Sequence, residues 1–392
     1  MNLGTIEAAS SSSDAVSGSR YVGGLVGDNS GTVTAASATG AVTGTGGNSV
    51  EIGGLAGYNS GGVSGSSART GNVSGTAEIG GLIGYNASAG ALSGDSASGA
   101  AVSGTTAIGG LVGENMGTIQ GASSSADGVS GTRYVGGLAG YSTGAVTSAS
   151  ATGAVSGTTD VGGFAGYNGG ELSHVSAAGS VTGAGATPTA VGGLVGDNGA
   201  AALIVGSEAS GGDVSAPDGV FLGGLVGENQ GQINRSFSTE DVSANGAGEK
   251  LGGLVGYNTA NATINSAYAT GSVGAGAYIG GLIGYNLGSV RATWNSGTVA
   301  SGATSGGVAG ANGTGGLFDY VYWDVGTTGL SKVLGVGTAG SSEDLAAIGG
   351  TTGKSPYSQA TYAGFNFTSI WTINPGSSRP YLRNITPQTP PN

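Results

Sequence analysis

Cysteine is absent from the 392 residues, which excludes disulfides and thiolate metal sites as a means of holding the chain together. The absence suits a chain exported unfolded through an oxidising compartment, since nothing can be cross-linked on the way. Charge is scarce as well: 8% of residues are charged, with 10 basic side chains against 22 acidic ones. The net charge of -12 repels phosphate backbones and anionic lipid surfaces, so no nucleic-acid partner is expected. Aromatics supply only 6%, and His174 is the single histidine. No apolar run reaches the length of about 18 residues that a membrane-crossing helix needs, because glycine or asparagine interrupts each one. The opening MNLGTIEAASSSSDAVSGSRYVGG carries no basic region followed by an apolar one and is not a secretory signal. Asn2–Gly24 instead nearly repeats Asn115–Gly137, so the chain is expected to open inside a repeat of a longer exported protein.

What the sequence has in abundance is glycine, 88 residues of it, and the glycine is periodic. Pairs beginning at Gly23, Gly53, Gly80, Gly109, Gly136, Gly162, Gly192, Gly223, Gly252, Gly280 and Gly306 mark eleven copies spaced 26 to 31 residues apart. Such a period belongs to stacked repeat architectures. Each copy has three short apolar stations, which in the first are Val22–Val26, Thr32–Thr34 and Ala41–Thr43, separated by turns rich in Asn, Ser and Gly. Short β-branched stations between turns predict strands rather than helices.

One copy buries too little apolar surface to offset the entropy of ordering nearly thirty residues, so copies must stack. The expectation is an all-β parallel β-helix, about one coil of three short strands per repeat. At about 4.8 Å per rung, eleven coils span roughly 50 Å. One interior ladder is predicted from Leu25, Leu55, Leu82, Leu111, Leu138, Leu194, Leu225, Leu254 and Leu282, with Phe164 and Val308 as exceptions. A second comprises Val33, Val63, Leu92, Ile119, Val146, Leu172, Ile233, Ile264 and Val290. Asn29 recurs at the same place in nine further copies, with Ser142 as the exception, and stacked amides there are expected to hydrogen-bond along the rod. Length variation falls between the third station and the next glycine pair, where Pro188 and Pro217 also lie, so insertions should line one edge.

After residue 316 the period ends and aromatics gather. Residues 1–316 read as the repeat solenoid, 317–385 as an aromatic cap built on Trp323, Phe365, Phe367, Trp371 and Tyr381, and 386–392 as a proline-rich tail or linker. A solenoid end is an exposed β-edge, which gives a reason for a cap.

The unit V/I-G-G-L-V/A/I-G-Y/D/E-N, followed by G-x-V/I and A-T-G-x-V, resembles the GLUG repeat of large bacterial surface proteins of the filamentous haemagglutinin type. Some surface metallopeptidases carry it too. Tyr322-Trp323-Asp324, Gly364–Phe367, Trp371 and Arg379–Leu382 are similar to the segment that follows such repeats in haemagglutinin-like exoproteins. The resemblance implies a β-helical stalk of an exported adhesin, extracellular or displayed on a bacterial surface, with a host-surface or glycan ligand as partner. HExxH is absent, which argues against zinc peptidase chemistry in this segment.

No catalytic, cofactor-binding or metal-ligating set emerges from the residues. His174 reads as a surface residue of one coil. Asp28, Glu114, Asp197 and Glu228 occupy one position in different coils, the position just before the recurrent asparagine. Asp28–Glu114 and Glu114–Asp197 are three coils apart, about 14 Å, beyond the separation of paired glycosidase carboxylates. Asp197 and Glu228 are neighbours, and acids on a solvated face explain them more simply than catalysis or calcium. The same position holds Tyr58, Tyr85, Tyr141, Tyr167, Tyr257 and Tyr285, which read first as a ladder covering the coil corner and second as a platform for sugars. A non-enzymatic stalk is the expectation, with a carbohydrate-active β-helix enzyme as the alternative.

Overall fold

The computed structural model describes the chain apart from residues 13–14, 70, 100, 186–188, 218–220, 245–249, 303, 332–334, 339–343 and 386–387. Among the described residues the only helical element is the 3-10 turn Gln359–Thr361. Everything else regular is strand, and strands of successive coils pair in parallel with like residues opposite like. Val63 lies between Val33 and Leu92, and Asn59 between Asn29 and Asn86. The chain is a parallel β-solenoid of about eleven turns.

One coil runs through the strands Arg20–Gly23, Val26–Asn29, Thr32–Thr34, Ser37–Ala38 and Ala41–Gly44. Their equivalents build a first sheet from Arg20–Gly23, a second from Val26–Asn29, a third containing both Thr32–Thr34 and Ser37–Ala38, and a fourth from Ala41–Gly44. Among the described residues these sheets have 11, 12, 23 and 9 strands. The coil therefore has five strands where the sequence suggests three. The station Val22–Val26 is divided at Gly24-Leu25, and Ser37–Ala38 is strand despite lacking any β-branched residue. Its neighbours supply the reason: Ser37 and Ala38 are held in register by Ser67 and Ala68 in the next coil.

The division at Gly24-Leu25 defines the cross-section. A Cβ on Gly57 would lie 2.5 Å from the backbone of Tyr21 and Val22, and one on Gly84 would lie 2.4 Å from the backbone of Ile52. The first and second sheets thus lie back to back with no side chain between them, a separation that only glycine permits. Their shared turn points inward as the edge of a wedge. A Cβ on Gly81 would sit 3.1 Å from the Ala97 methyl, and one on Gly193 3.0 Å from that of Ala209, on the opposite wall.

The wedge splits the interior in two. One core packs Leu55, Ala56, Val63 and Ala68 with their equivalents, and it contains both ladders predicted from sequence. Ile204, passed over in the second ladder, fills its rung between Leu172 and Ile233. The other core packs first-sheet Ile52 and Ile79 against fourth-sheet Val73 and Val102. The variable segment lies between the fourth and first sheets, where Thr45–Ser49 belongs, while Pro188 falls outside the described residues.

The recurrent asparagines are fully buried and bonded to one another. Each Nδ2 donates to the next Oδ1, at 2.7 Å from Asn29 to Asn59 and 2.8 Å from Asn59 to Asn86 and from Asn86 to Asn115. Ser142 accepts from Asn115 at 3.1 Å and donates to the Gly144 carbonyl, ending the first run. A second run extends from Asn168 to Asn312 at 2.8–2.9 Å per bond.

The division at 316/317 does not separate two packing units. Leu317–Asp324 pairs onto Ser289–Asn295, Leu345–Ile348 pairs onto Leu317–Asp324, and Val336–Thr338 extends the second sheet. Coil pairing therefore continues to Ile348, because the register, unlike the glycine period, survives. Trp323 lies inside, over Gly307, and plugs the first core. Residues beyond 348 fold back along the outer face of the third sheet. There Phe237, Tyr268 and Trp294 stack at 4.8 Å intervals, and Phe365, Trp371, Leu382 and Ile385 cover them. Phe367 packs at the margin, while Tyr381 is half-buried in a two-stranded antiparallel pair with Thr372. Arg379 anchors this flap through Asp324, Nη2 to Oδ2 at 2.5 Å, with both side chains 2% exposed.

Candidate functional site

The open side of the wedge carries the acids and tyrosines singled out from sequence. Asp28, Tyr58, Tyr85 and Glu114 are successive Cα partners in the second sheet, followed by Tyr141, Tyr167, Asp197, Glu228, Tyr257 and Tyr285. Glu114 is three rungs from Asp28, as the repeat count requires, and Asp197 and Glu228 are adjacent.

A second row, missed in the sequence, faces this one from the first sheet: Tyr21, Glu51, Glu78, Tyr134, Asp160, Phe221, Lys250 and Tyr278. The signal was present, since each residue stands seven positions before its counterpart in the second sheet. Tyr21, Glu51, Glu78, Ala107, Tyr134 and Asp160 have left-handed backbone, with φ from 51° to 59°. Their side chains are carried to the wedge opening by this local reversal.

The two rows interlock. Tyr58 and Tyr85 stack at 5.5 Å with ring planes 4° apart, and Tyr141 and Tyr167 stack at 4.7 Å and 7°. Tyr21 meets Tyr58 edge-on, and Tyr134 meets Tyr141 edge-on. The Arg133 guanidinium lies 4.3 Å from the Tyr134 ring centre, and Lys250 Nζ 4.6 Å from that of Phe221. In each stacked pair the rings spend a face on one another, which favours a covering ladder over a sugar platform.

Between the aromatic groups lie two acidic groups. Burial, then the charges of Glu114 and Glu51, pushes the Glu78 carboxyl up to about 7. Burial, then Glu228 and Asp160, pushes Asp197 up to about 7, although Gln230 Nε2 donates to it at 3.1 and 3.2 Å. Glu114, Asp160 and Glu228 are also raised, chiefly by burial. These carboxyls can share protons near neutrality, but they stand side by side along one strip, whereas glycosidic cleavage uses two carboxyls flanking the bond. Among the described residues no three His, Asp or Glu side chains converge to hold a metal.

His174 is exposed at the corner inside the third sheet, with φ 54° where Gly65 and Gly206 stand in other coils. Its ring takes the space over Gly206, and Nδ1 pairs with Ser173 Oγ at 2.9 Å. No family model, curated protein or solved structure matches the chain.

Proposed function

We propose that the chain is a non-enzymatic structural stalk of a bacterial surface adhesin or exoprotein, holding a binding element away from the cell. The observation that carries this reading is the unbroken register: the same ladders and buried amides recur coil after coil, which makes a rod of fixed length and rigid wall. The GLUG-like repeat and the haemagglutinin-like tail supply the extracellular setting. A host-surface or glycan ligand and further repeats of a longer polypeptide are the partners that fit. The test joins a glycan array with a polysaccharide-degradation assay on the purified chain. Silence in the degradation assay supports a stalk, and measurable turnover defeats it.

The raised carboxyls at Glu78 and Asp197 favour a second reading, a carbohydrate-active β-helix enzyme. In that case Asp197→Asn would abolish turnover while leaving the fold intact.

A further inference from the structure

The C-terminal flap leaves part of the third sheet's outer face uncovered. One column on that face runs Ser150, Ser176, Glu208, Phe237 and Tyr268 as successive Cα partners. Ile385 of the flap comes down beside this column, and a cavity of about 390 Å³ remains there. Its lining includes Ser150, Ser176 and Glu208, together with His174, Asn384 and Ile385.

Glu208 is out of balance with its surroundings. It is 6% exposed, and its Oε2 has no hydrogen-bond donor. It joins no ion pair among the described residues. Burial alone pushes its carboxyl up to about 7, with no cation opposing the shift. A serine serves the same rung in the coil before, so pairing alone does not call for a carboxylate here. The group that best compensates a desolvated carboxylate is a donor carrying positive charge, since charge-assisted bonds are roughly twice as strong as neutral ones. The net charge of -12 draws such a ligand in. A neutral hydroxyl would add only an ordinary hydrogen bond.

We propose that this cavity binds a primary ammonium group, with Glu208 as its counter-ion, the Ser150 and Ser176 hydroxyls as further acceptors and Ile385 against the ligand's carbon skeleton. A simple alkylamine and an amino sugar both carry this chemistry, and the site is independent of the stalk reading. The whole chain is titrated by NMR just above neutral pH and at low salt, where the Glu208 carboxyl is mostly ionised and the amines still carry protons, with n-butylamine, glucosamine and N-acetylglucosamine. At least one amine should saturate at millimolar concentration and weaken at least about tenfold in Glu208→Gln. Saturation by glucosamine alone assigns the site to amino sugars, and saturation by butylamine assigns it to simple amines. Ser150→Phe keeps the carboxylate but fills the cavity, so it should block binding whether or not Glu208→Gln folds. The proposal is overturned if neither amine saturates, if N-acetylglucosamine binds as well as glucosamine, or if amine binding survives either substitution.

Discussion

Replacing Asn229 with alanine tests whether the buried amide run is a structural spine or a by-product of stacking. Asn229 accepts from Asn198 Nδ2 at 2.8 Å and donates to Asn258 Oδ1 at 2.9 Å, and all three residues are fully buried. The substitution leaves one N–H and one carbonyl oxygen without these partners where water does not reach. Each stranded group costs about 1–3 kcal/mol, so the expected loss is about 2–6 kcal/mol. Bonds in such a chain polarise one another, which pushes the loss toward the upper end. Urea unfolding followed by intrinsic fluorescence gives the global change, and amide hydrogen exchange locates it. Exchange should accelerate first in the second-sheet strands around Asn198 and Asn258, since repeat stacks can open locally. A change below about 0.5 kcal/mol would refute the spine.

Three further outcomes follow from the geometry. Ala107 is buried with φ 57°, so Ala107→Gly should relieve left-handed strain and raise stability by about 1 kcal/mol, read from the urea midpoint. Arg379→Leu strands the buried Asp324 carboxylate and should cost about 3–5 kcal/mol, freeing the flap to proteolysis while the coils persist; adding Asp324→Leu should recover much of the loss. Glu208 and Glu240 are buried with carboxyls pushed up to about 7, above the 4.5 of an exposed glutamate. The folded state therefore holds the extra protons, and stability should fall as pH rises from about 4.5 to about 7, with no further loss from these groups above that. Thermal melts should show a higher Tm at pH 5 than at pH 8, and Glu240→Gln should flatten the difference.

The repeat made much of the fold legible. Leu55 and Val63 could be placed inside because their spacing and apolar character recur in every coil, and stacking is the only way such a short unit can bury them. The asparagine spine was equally legible, since identical residues at one position must meet in a parallel register. Less was legible in the flap. Phe365 and Trp371 look like end caps in sequence, yet they cover the flank of Phe237, Tyr268 and Trp294, whose outward stacking appears only when coils are superposed. The first-sheet row escaped for another reason: Glu78 reaches Glu114's surroundings through a backbone reversal that no local composition announces.

The sequence by itself determined the coil count, the parallel register and the identity of the ladders, because periodic apolar and amide positions can be satisfied only by like residues above and below. Tertiary structure alone decided that the glycine turn folds inward, dividing one core into two and bringing rows seven residues apart to a common opening. Glycine permits many close approaches, and which backbone it approaches depends on the closed path of the whole coil.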